Sequence, residues 1–207
     1  MFGKNPKRKA TKGVGNQLDI QEVFATIQGE GPNAGTPSVF LRLSGCNLAC
    51  EFCDTEFENF KPQNLENIIS EIKALSKNEN GKKVRNLVVI TGGEPLRQPI
   101  EKLCDELILN KFSVQIETNG TIFRNLHEKV EIICSPKNNG MGYKKIRPDL
   151  LERITAFKFI ISANNKNYSS VPDVGQSEYK TPVYIQPMDE YNKKKNLANL
   201  EYCKKLA

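Results

Sequence analysis

The stretch that decides the fold is an apolar run followed by two glycines, Leu87-Val88-Val89-Ile90-Thr91-Gly92-Gly93-Glu94-Pro95. Four consecutive apolar residues, three of them β-branched, are typical of a strand that is covered on both faces, as in a parallel sheet. The glycines fit a tight turn at the carboxyl end of that strand. No Lys-Ser or Lys-Thr pair follows them, so the turn is not a phosphate-binding P-loop.

β-Branched and aromatic runs elsewhere predict a larger sheet. The predicted strands are Ile20–Ile27, Val39–Leu43, Leu87–Thr91, Ser113–Thr118, Glu131–Cys134, Ala156–Ile161 and Val183–Gln186. Apolar residues recur at helical spacing from Leu65 to Leu75, with Asn64 as the expected N-cap, from Ile100 to Ile108, and at Leu197, Leu200 and Leu206. Because so few helices cannot complete an eightfold barrel, we predict an α/β fold, an incomplete, open (β/α) barrel of about six to seven strands with few helices.

Composition and charge favour one globular domain with a basic tail. Hydrophobic residues make up 38% and charged residues 26% of the 207 residues, which is typical of a folded domain. The net charge of +6 comes mainly from the N-terminus: removing Lys4, Lys7, Arg8, Lys9 and Lys12 from the 30 basic residues leaves 25 against 24 acidic ones. We expect residues 1–17 to be a mobile tail, although such a run could also touch RNA or an acidic partner. Residues 18–207 would form the domain.

The cysteines point to metal chemistry. The chain has neither an apolar signal region nor an apolar run of membrane-spanning length, so we expect it in the cytoplasm. In that reducing compartment, six cysteines indicate metal binding or redox chemistry before disulfides. Three stand singly in apolar or helical patterns and are expected in the core: Cys104, Cys134 and Cys203. The other three form a C-x3-C-x2-C pattern: Cys46, Cys50 and Cys53.

This cysteine triplet directly follows the predicted strand Val39–Leu43. A structural zinc site normally takes four protein ligands, and the single histidine, His127, lies far along the sequence. Three clustered thiolates without an obvious fourth ligand favour a [4Fe–4S] cluster with one iron left open for a small molecule. A structural zinc site and three ordinary buried cysteines are the alternatives.

Polar residues at the ends of later strands add to this site. They are Glu117, Ser135-Pro136-Lys137 and Gln186-Pro187-Met188-Asp189. Taken singly, each is more often a turn than a site. The carboxyl ends of parallel strands meet at one face of such a barrel, where active sites lie, so together these residues would surround one site.

The cysteine spacing, with Phe52 before the third cysteine, and the Gly-Gly-Glu-Pro stretch resemble the radical S-adenosylmethionine (radical SAM) superfamily. The resemblance implies a [4Fe–4S] cluster on the cysteine triplet and S-adenosylmethionine as cofactor. It implies cofactor contacts at Phe52, Cys53, Asp54, Gly93, Glu94, Glu117, Ser135, Pro136, Lys137, Gln186, Pro187, Met188 and Asp189.

Further motifs between residues 23 and 189 resemble the 7-carboxy-7-deazaguanine synthase family of that superfamily. They are Thr-Ile-Gln-Gly-Glu-Gly from Thr26, Gly-Thr-Pro-Ser from Gly35, Cys-Asp-Thr from Cys53, Thr-Gly-Gly-Glu-Pro from Thr91, Glu-Thr-Asn-Gly from Glu117, Ser-Pro-Lys from Ser135 and Gln-Pro-Met-Asp from Gln186. The resemblance implies ring contraction of 6-carboxy-5,6,7,8-tetrahydropterin to 7-carboxy-7-deazaguanine with loss of ammonia, in queuosine and other deazapurine biosynthesis. It implies substrate contacts at Ile27, Gln28, Gly29, Glu30, Arg42 and Thr91, and Mg²⁺ at Thr55.

Several of these residues also have simpler explanations. Strand alternation places Arg42 on the face of Phe40, where it would pair with a substrate carboxylate or be an exposed edge residue. Gln28 and Glu30 suit the donor and acceptor edge of a pterin, or form a polar turn. A single threonine, Thr55, suffices for Mg²⁺ only together with substrate oxygens and water; its hydroxyl could instead cap a turn.

The family resemblance further implies a homodimer, an electron donor such as flavodoxin or ferredoxin, and no membrane or direct nucleic-acid partner. The chain departs from the family pattern in its basic N-terminal extension. After its last predicted helix it also lacks the family's short segment with a His-Lys pair that helps enclose the substrate, so either the sequence is cut short or the substrate pocket closes in another way. Two other functions stay open. One is a glycyl-radical-enzyme activating enzyme, which shares the cysteine spacing, and the other is a non-enzymatic metal-binding RNA-interaction module that uses the basic tail.

Overall fold

The computed structural model describes residues 5–207. Within that range, eight strands form one sheet: β1 (Gln17–Ile27), β2 (Pro37–Leu43), β3 (Lys61–Asn64), β4 (Leu87–Gly92), β5 (Ser113–Thr118), β6 (Glu131–Cys134), β7 (Ile154–Ile161) and β8 (Val183–Pro187). The helices are α1 (Leu65–Leu75), α2 (Glu101–Leu109), α3 (Pro148–Leu151), α4 (Gln176–Tyr179) and α5 (Lys193–Leu206). Short 3-10 turns occupy Gly31–Asn33, Pro95–Arg97 and Lys166–Tyr168.

The sheet is open, with strand order β3-β1-β2-β4-β5-β6-β7-β8. The six strands β2, β4, β5, β6, β7 and β8 run parallel to one another. Strand β1 is antiparallel to both of its neighbours, β2 and β3. The predicted open, helix-poor α/β fold is confirmed. The strand count exceeds the predicted six to seven because β3 pairs with the start of β1, and its sequence, Lys-Pro-Gln-Asn, has no β-branched or aromatic residue to signal a strand.

The core lies between the sheet and the helices that pack against it. Leu87 to Ile90 are buried throughout, at 4% exposure or less, as expected for a strand covered on both faces. Helix α1 begins after Asn64, the predicted N-cap position, and its side chains Ile68 and Ile72 are fully buried. Burial of each such side chain stabilises the fold by about 1.5–3 kcal/mol.

The last predicted helix is present, but the leucines that indicated it do not anchor it. Leu197 and Leu200 are exposed, whereas Asn199 is fully buried and acts as the anchor. The Asn199 carboxamide accepts from the Ala163 amide at 2.8 Å and donates to the Met188 carbonyl at 2.8 Å. Helical periodicity identified the element, but it could not show that a polar side chain docks it.

The N-terminal residues lie against the body of the protein. The Arg8 amide donates to the Cys46 carbonyl at 2.8 Å, and the Thr11 amide donates to the Arg97 carbonyl at 2.8 Å. The first four residues of the predicted mobile tail, residues 1–17, lie outside the described residues, and for them the mobility stays a prediction. None of the helices within residues 5–207 is long and apolar enough to cross a membrane.

Candidate active site

The cysteine triplet lies in a loop at the carboxyl end of β2. Cys46, Cys50 and Cys53 are all half-buried, and all three line one cavity of about 250 Å³. The Cys53 amide donates to the Cys50 carbonyl at 3.1 Å, so a tight turn brings the last two cysteines together. Cys104, Cys134 and Cys203 are buried elsewhere, which confirms their predicted place in the core.

The Gly-Gly turn after β4 holds the start of the cysteine loop. The Gly93 amide donates to the Leu43 carbonyl at 3.1 Å, and the Glu94 amide donates to the Gly45 carbonyl at 3.0 Å. A Cβ atom on Gly93 would lie 2.0 Å from the Gly45 carbonyl oxygen. Only a residue without a side chain therefore allows the two loops to approach so closely.

The donor set fits a [4Fe–4S] cluster. Burial raises the pKa of Cys46 to about 12, and burial also raises the pKa of Cys50, against the opposing charge of Lys137; metal binding would deprotonate these thiols. Among residues 5–207, no three His, Cys, Asp or Glu side chains converge as they would around one metal ion. A [4Fe–4S] cluster does not require such convergence, since its protein thiolates bind separate iron atoms.

Most of the residues predicted to contact the cofactor line the same cavity as the cysteines. They are Phe52, Asp54, Gly93, Glu117, Ser135, Lys137, Gln186, Pro187, Met188 and Asp189. The Phe52 ring packs edge-on against the buried Tyr168 ring, with centroids 4.9 Å apart. The Lys137 ammonium donates to the Ser135 carbonyl at 2.9 Å and hydroxyl at 2.6 Å. The ends of β2, β4, β5, β6 and β8 thus surround one cavity.

Glu94 and Pro136 are placed differently from the prediction, because both are buried outside the cavity lining. The Glu94 carboxylate accepts hydrogen bonds from the Thr118 hydroxyl at 2.7 Å, the Asn119 amide at 2.8 Å and the Leu96 amide at 3.0 Å. Burial raises the pKa of Glu94, and these hydrogen bonds oppose the shift. Glu94 therefore ties the ends of β4 and β5 together behind the cavity.

A second, wider cavity of about 770 Å³ adjoins the first. Its lining includes all the predicted substrate-contact residues: Ile27, Gln28, Gly29, Glu30, Arg42 and Thr91. The two cavities share Glu30, Asp54, Thr55, Thr91, Gly92 and Glu117. The Arg42 guanidinium lies over the Phe24 ring and donates to the Glu22 carboxylate at 2.7 Å. The Thr55 hydroxyl donates to Asp54 at 2.8 Å, so a hydroxyl oxygen and a carboxylate oxygen lie side by side at the shared wall.

A buried lysine at this wall was missed by sequence reasoning. Lys158 on β7 is 5% exposed and donates to the carboxylates of Glu117, at 2.7 Å, and Glu30. Glu117 also accepts from the amides of Gln28 at 2.9 Å and Gln115 at 3.1 Å. Burial alone would lower the pKa of Lys158, but the two carboxylates raise it overall. The sequence signal was a lone charge inside the otherwise apolar strand Ala156–Ile161.

Comparison with known proteins gives the class of this site. A model of the radical SAM superfamily matches residues 41–155, the span that holds the cysteine loop and the Gly-Gly turn. The fold and the cysteine loop thus define a radical SAM enzyme. The chain is 56% identical to the 7-carboxy-7-deazaguanine synthase of Rickettsia prowazekii, over all of this chain and 88% of that protein. It is 41% identical to the protein of the same name from Rhodospirillum rubrum, over 92% of this chain and 83% of that one.

The solved structures agree with these relatives. The crystal structure of QueE from Escherichia coli matches with a TM-score of 0.66 and 27% identity, over 91% of this chain and 90% of that one. The chain belongs to the 7-carboxy-7-deazaguanine synthase family of the radical SAM superfamily. This membership does not favour a glycyl-radical-enzyme activating enzyme or a metal-binding RNA-interaction module.

Proposed function

We propose that this enzyme contracts the ring of 6-carboxy-5,6,7,8-tetrahydropterin to give 7-carboxy-7-deazaguanine and ammonia, in the biosynthesis of queuosine and other deazapurines. The observation that carries the proposal is the pair of adjoining cavities, one lined by three cysteines and the other by Arg42. The cluster and S-adenosylmethionine, when bound, supply a 5′-deoxyadenosyl radical that removes a hydrogen atom from the substrate and later returns it.

The wider cavity has the groups that a carboxylated pterin needs. Arg42 can form two parallel hydrogen bonds to the substrate carboxylate, which requires it to exchange its present bond to Glu22. Gln28 and Glu30 offer an amide and a carboxylate to the edge of the pterin ring. Ile27 and Gly29 lie on either side of Gln28 in the same wall, and Thr91 stands where this cavity meets the other.

In the narrower cavity, Cys46, Cys50 and Cys53 would hold the cluster, and the strand ends would hold S-adenosylmethionine. Phe52 and Met188 give apolar contact area. Backbone groups at Gly93 and polar groups at Ser135, Lys137, Gln186 and Asp189 give hydrogen bonds. Glu117 accepts from Gln28, Gln115 and Lys158, and it would accept from a ribose hydroxyl through the lone pair that these three donors leave free. Glu94 and Pro136 would support these contacts from behind.

Four further parts of the proposal concern a metal ion, the electron donor, the oligomeric state and the cellular location. Mg²⁺ would bind Thr55 and the neighbouring Asp54 together with substrate oxygens and water. The electron would come from a flavodoxin or ferredoxin, and the enzyme would be a homodimer. Its place would be the cytoplasm, where a reducing environment keeps cysteines available for the cluster.

The test is anaerobic incubation of the reconstituted enzyme with dithionite, S-adenosylmethionine, Mg²⁺ and carboxytetrahydropterin. We expect bound iron and sulfide and a new deazaguanine chromophore. Deoxyadenosine formed without conversion of the pterin would keep the superfamily chemistry and reject the named substrate. A protein purified anaerobically with zinc, and without iron or sulfide, would reject both.

A further inference from the structure

One side chain from the N-terminal segment reaches into the cluster cavity. Asn5 is half-buried and lines that cavity. Its amide nitrogen lies 3.8 Å from the Cys53 sulfur and donates to the Thr55 carbonyl at 2.7 Å. Its amide oxygen accepts from the Phe57 backbone at 3.0 Å. One carboxamide thus uses both its donor and its acceptor on the last turn of the cysteine loop.

The same segment also holds the beginning of that loop. Lys7 forms a parallel β-bridge with Cys46, in which the Arg8 amide donates to the Cys46 carbonyl. The Arg97 guanidinium donates hydrogen bonds to the Lys9 carbonyl at 3.3 Å and to the Ser44 carbonyl at 3.2 Å, and so links the two backbones. The first and the last cysteine of the triplet are therefore both attached to residues 5–9, although they are seven positions apart in sequence.

We propose that residues 5–9 clamp the cysteine loop and that Asn5 is a positioning residue for the cluster, through its contact with the Cys53 sulfur. This inference rests on the [4Fe–4S] cluster of the proposed function, and it gives the basic N-terminal extension a role at the site. Hydrogen bonds to ligand sulfurs are among the factors that set the reduction potential of an iron–sulfur cluster. An amide donor stabilises the more negative, reduced cluster, so Asn5 raises its midpoint potential.

Two variants separate the amide donor from the anchoring oxygen. Asn5→Ala loses every contact of the side chain. Asn5→Asp keeps an oxygen for the Phe57 amide but has no proton for the Cys53 sulfur, and its charge also disfavours the reduced cluster. With full-length, anaerobically reconstituted protein, we expect both variants to have a more negative midpoint potential in an EPR-monitored redox titration. Lys9→Ala serves as the control, because only the backbone of Lys9 contacts Arg97.

A second pair tests the clamp at Cys46. Arg8→Pro removes the backbone donor to the Cys46 carbonyl, whereas Arg8→Ala keeps it and loses the ion pair with Glu58. We expect Arg8→Pro to lose iron to a chelator several-fold faster than Arg8→Ala, which should stay close to wild type.

The outcomes also separate this inference from the proposed function. A potential of Asn5→Ala equal to that of wild type would overturn the role of the amide donor, and equal rates of iron loss in the Arg8 pair would overturn the clamp. Wild-type protein that binds no iron and sulfide would instead reject the cluster itself, and with it the proposed function.

Discussion

Replacement of Lys158 tests the electrostatics of the wall between the two cavities. Lys158→Met removes the charge but keeps most of the side-chain volume, so Glu117 and Glu30 lose their shared cation. Removing one partner of a buried ion pair costs about 3–5 kcal/mol. The Lys158 and Glu117 side chains are 6% and 16% exposed, which puts their pair near the lower end of that range. Glu30 is 36% exposed, so solvent screens its pair, and it adds less than about 1 kcal/mol.

The expected loss is therefore about 3–4 kcal/mol in the free energy of unfolding. For a chain of this length, each kcal/mol lowers the melting temperature by about 2–4 °C. We expect Lys158→Met to melt roughly 6–16 °C below wild type at neutral pH. The measurement is thermal unfolding of the anaerobic, cluster-loaded protein, followed by circular dichroism.

The loss should depend on pH in a defined direction. In the wild type, burial would raise the pKa of Glu117, but the charge of Lys158 and hydrogen bonds from Lys158 and Gln28 lower it overall. A lowered carboxyl pKa stabilises the fold above the unfolded value of about 4.3, and this stabilisation disappears as the pH falls through the folded pKa. In Lys158→Met, burial without the lysine should raise the pKa of Glu117, so its charged form destabilises the fold. The gap between the two proteins should therefore narrow as the pH falls from 7 toward about 4.5.

A compensating substitution gives the control. Lys158→Met combined with Glu117→Gln removes the stranded charge along with the lysine, so it should recover most of the lost stability. The reasoning is refuted if Lys158→Met melts within about 2 °C of wild type at pH 7, less than about 1 kcal/mol. A deficit that stays constant with pH, or that the second substitution does not reduce, refutes it as well.

Three further substitutions test other parts of the site. Arg42→Ala should weaken substrate binding by about 1.5–3 kcal/mol, roughly 10- to 150-fold in Kd, and leave the cluster spectrum unchanged; loss of the spectrum would show that Arg42 is misplaced. Gly93→Ala should lower the melting temperature and the iron content, since its Cβ would lie 2.0 Å from the Gly45 carbonyl, whereas Gly29→Ala, with no atom within 4 Å of its Cβ, should melt like wild type. Glu94→Gln should lower the free energy of unfolding in urea by about 1–3 kcal/mol, because the new side-chain amide group would face hydrogen-bond donors. An unchanged urea midpoint would contradict the buried hydrogen-bond network.

Local sequence patterns predicted the strands, helices and turns that interactions between neighbouring residues determine. The run Leu87 to Ile90 is a buried strand because its four apolar residues leave no polar face. The helix Leu65–Leu75 follows from an apolar stripe that the sheet covers. The cysteine spacing and the Gly-Gly turn predicted two loops at strand ends, and both loops line the same cavity. These features depend on residues that are close in sequence, so a pattern can reveal them.

The missed features depend on partners that are far apart in sequence. Lys158 meets Glu30 across 128 positions and Glu117 across 41, and nothing near Lys158 in the sequence indicates either carboxylate. Asn5 reaches Cys53 across 48 positions from a segment without any apolar periodicity. The burial of Asn199 was missed for the same reason, since its partners lie in loops that follow β7 and β8. Polar residues buried by such long-range contacts have no periodicity for a sequence pattern to detect.

Strand register links substrate recognition to the place of reaction. Arg42 on β2 stands directly beside Thr91 on β4, and Thr91 lies in the wall that both cavities share. In the proposed function, a substrate carboxylate held by Arg42 would bring the ring carbon that carries it to this wall, next to the cysteine-lined cavity. Hydrogen transfer requires the reacting atoms to be about 3–3.5 Å apart, so a carbon beside the wall that both cavities share is better placed than one at the far side of the wider cavity. In the proposed reaction, the same arginine thus sets both the affinity for the substrate and the carbon that faces the cofactor.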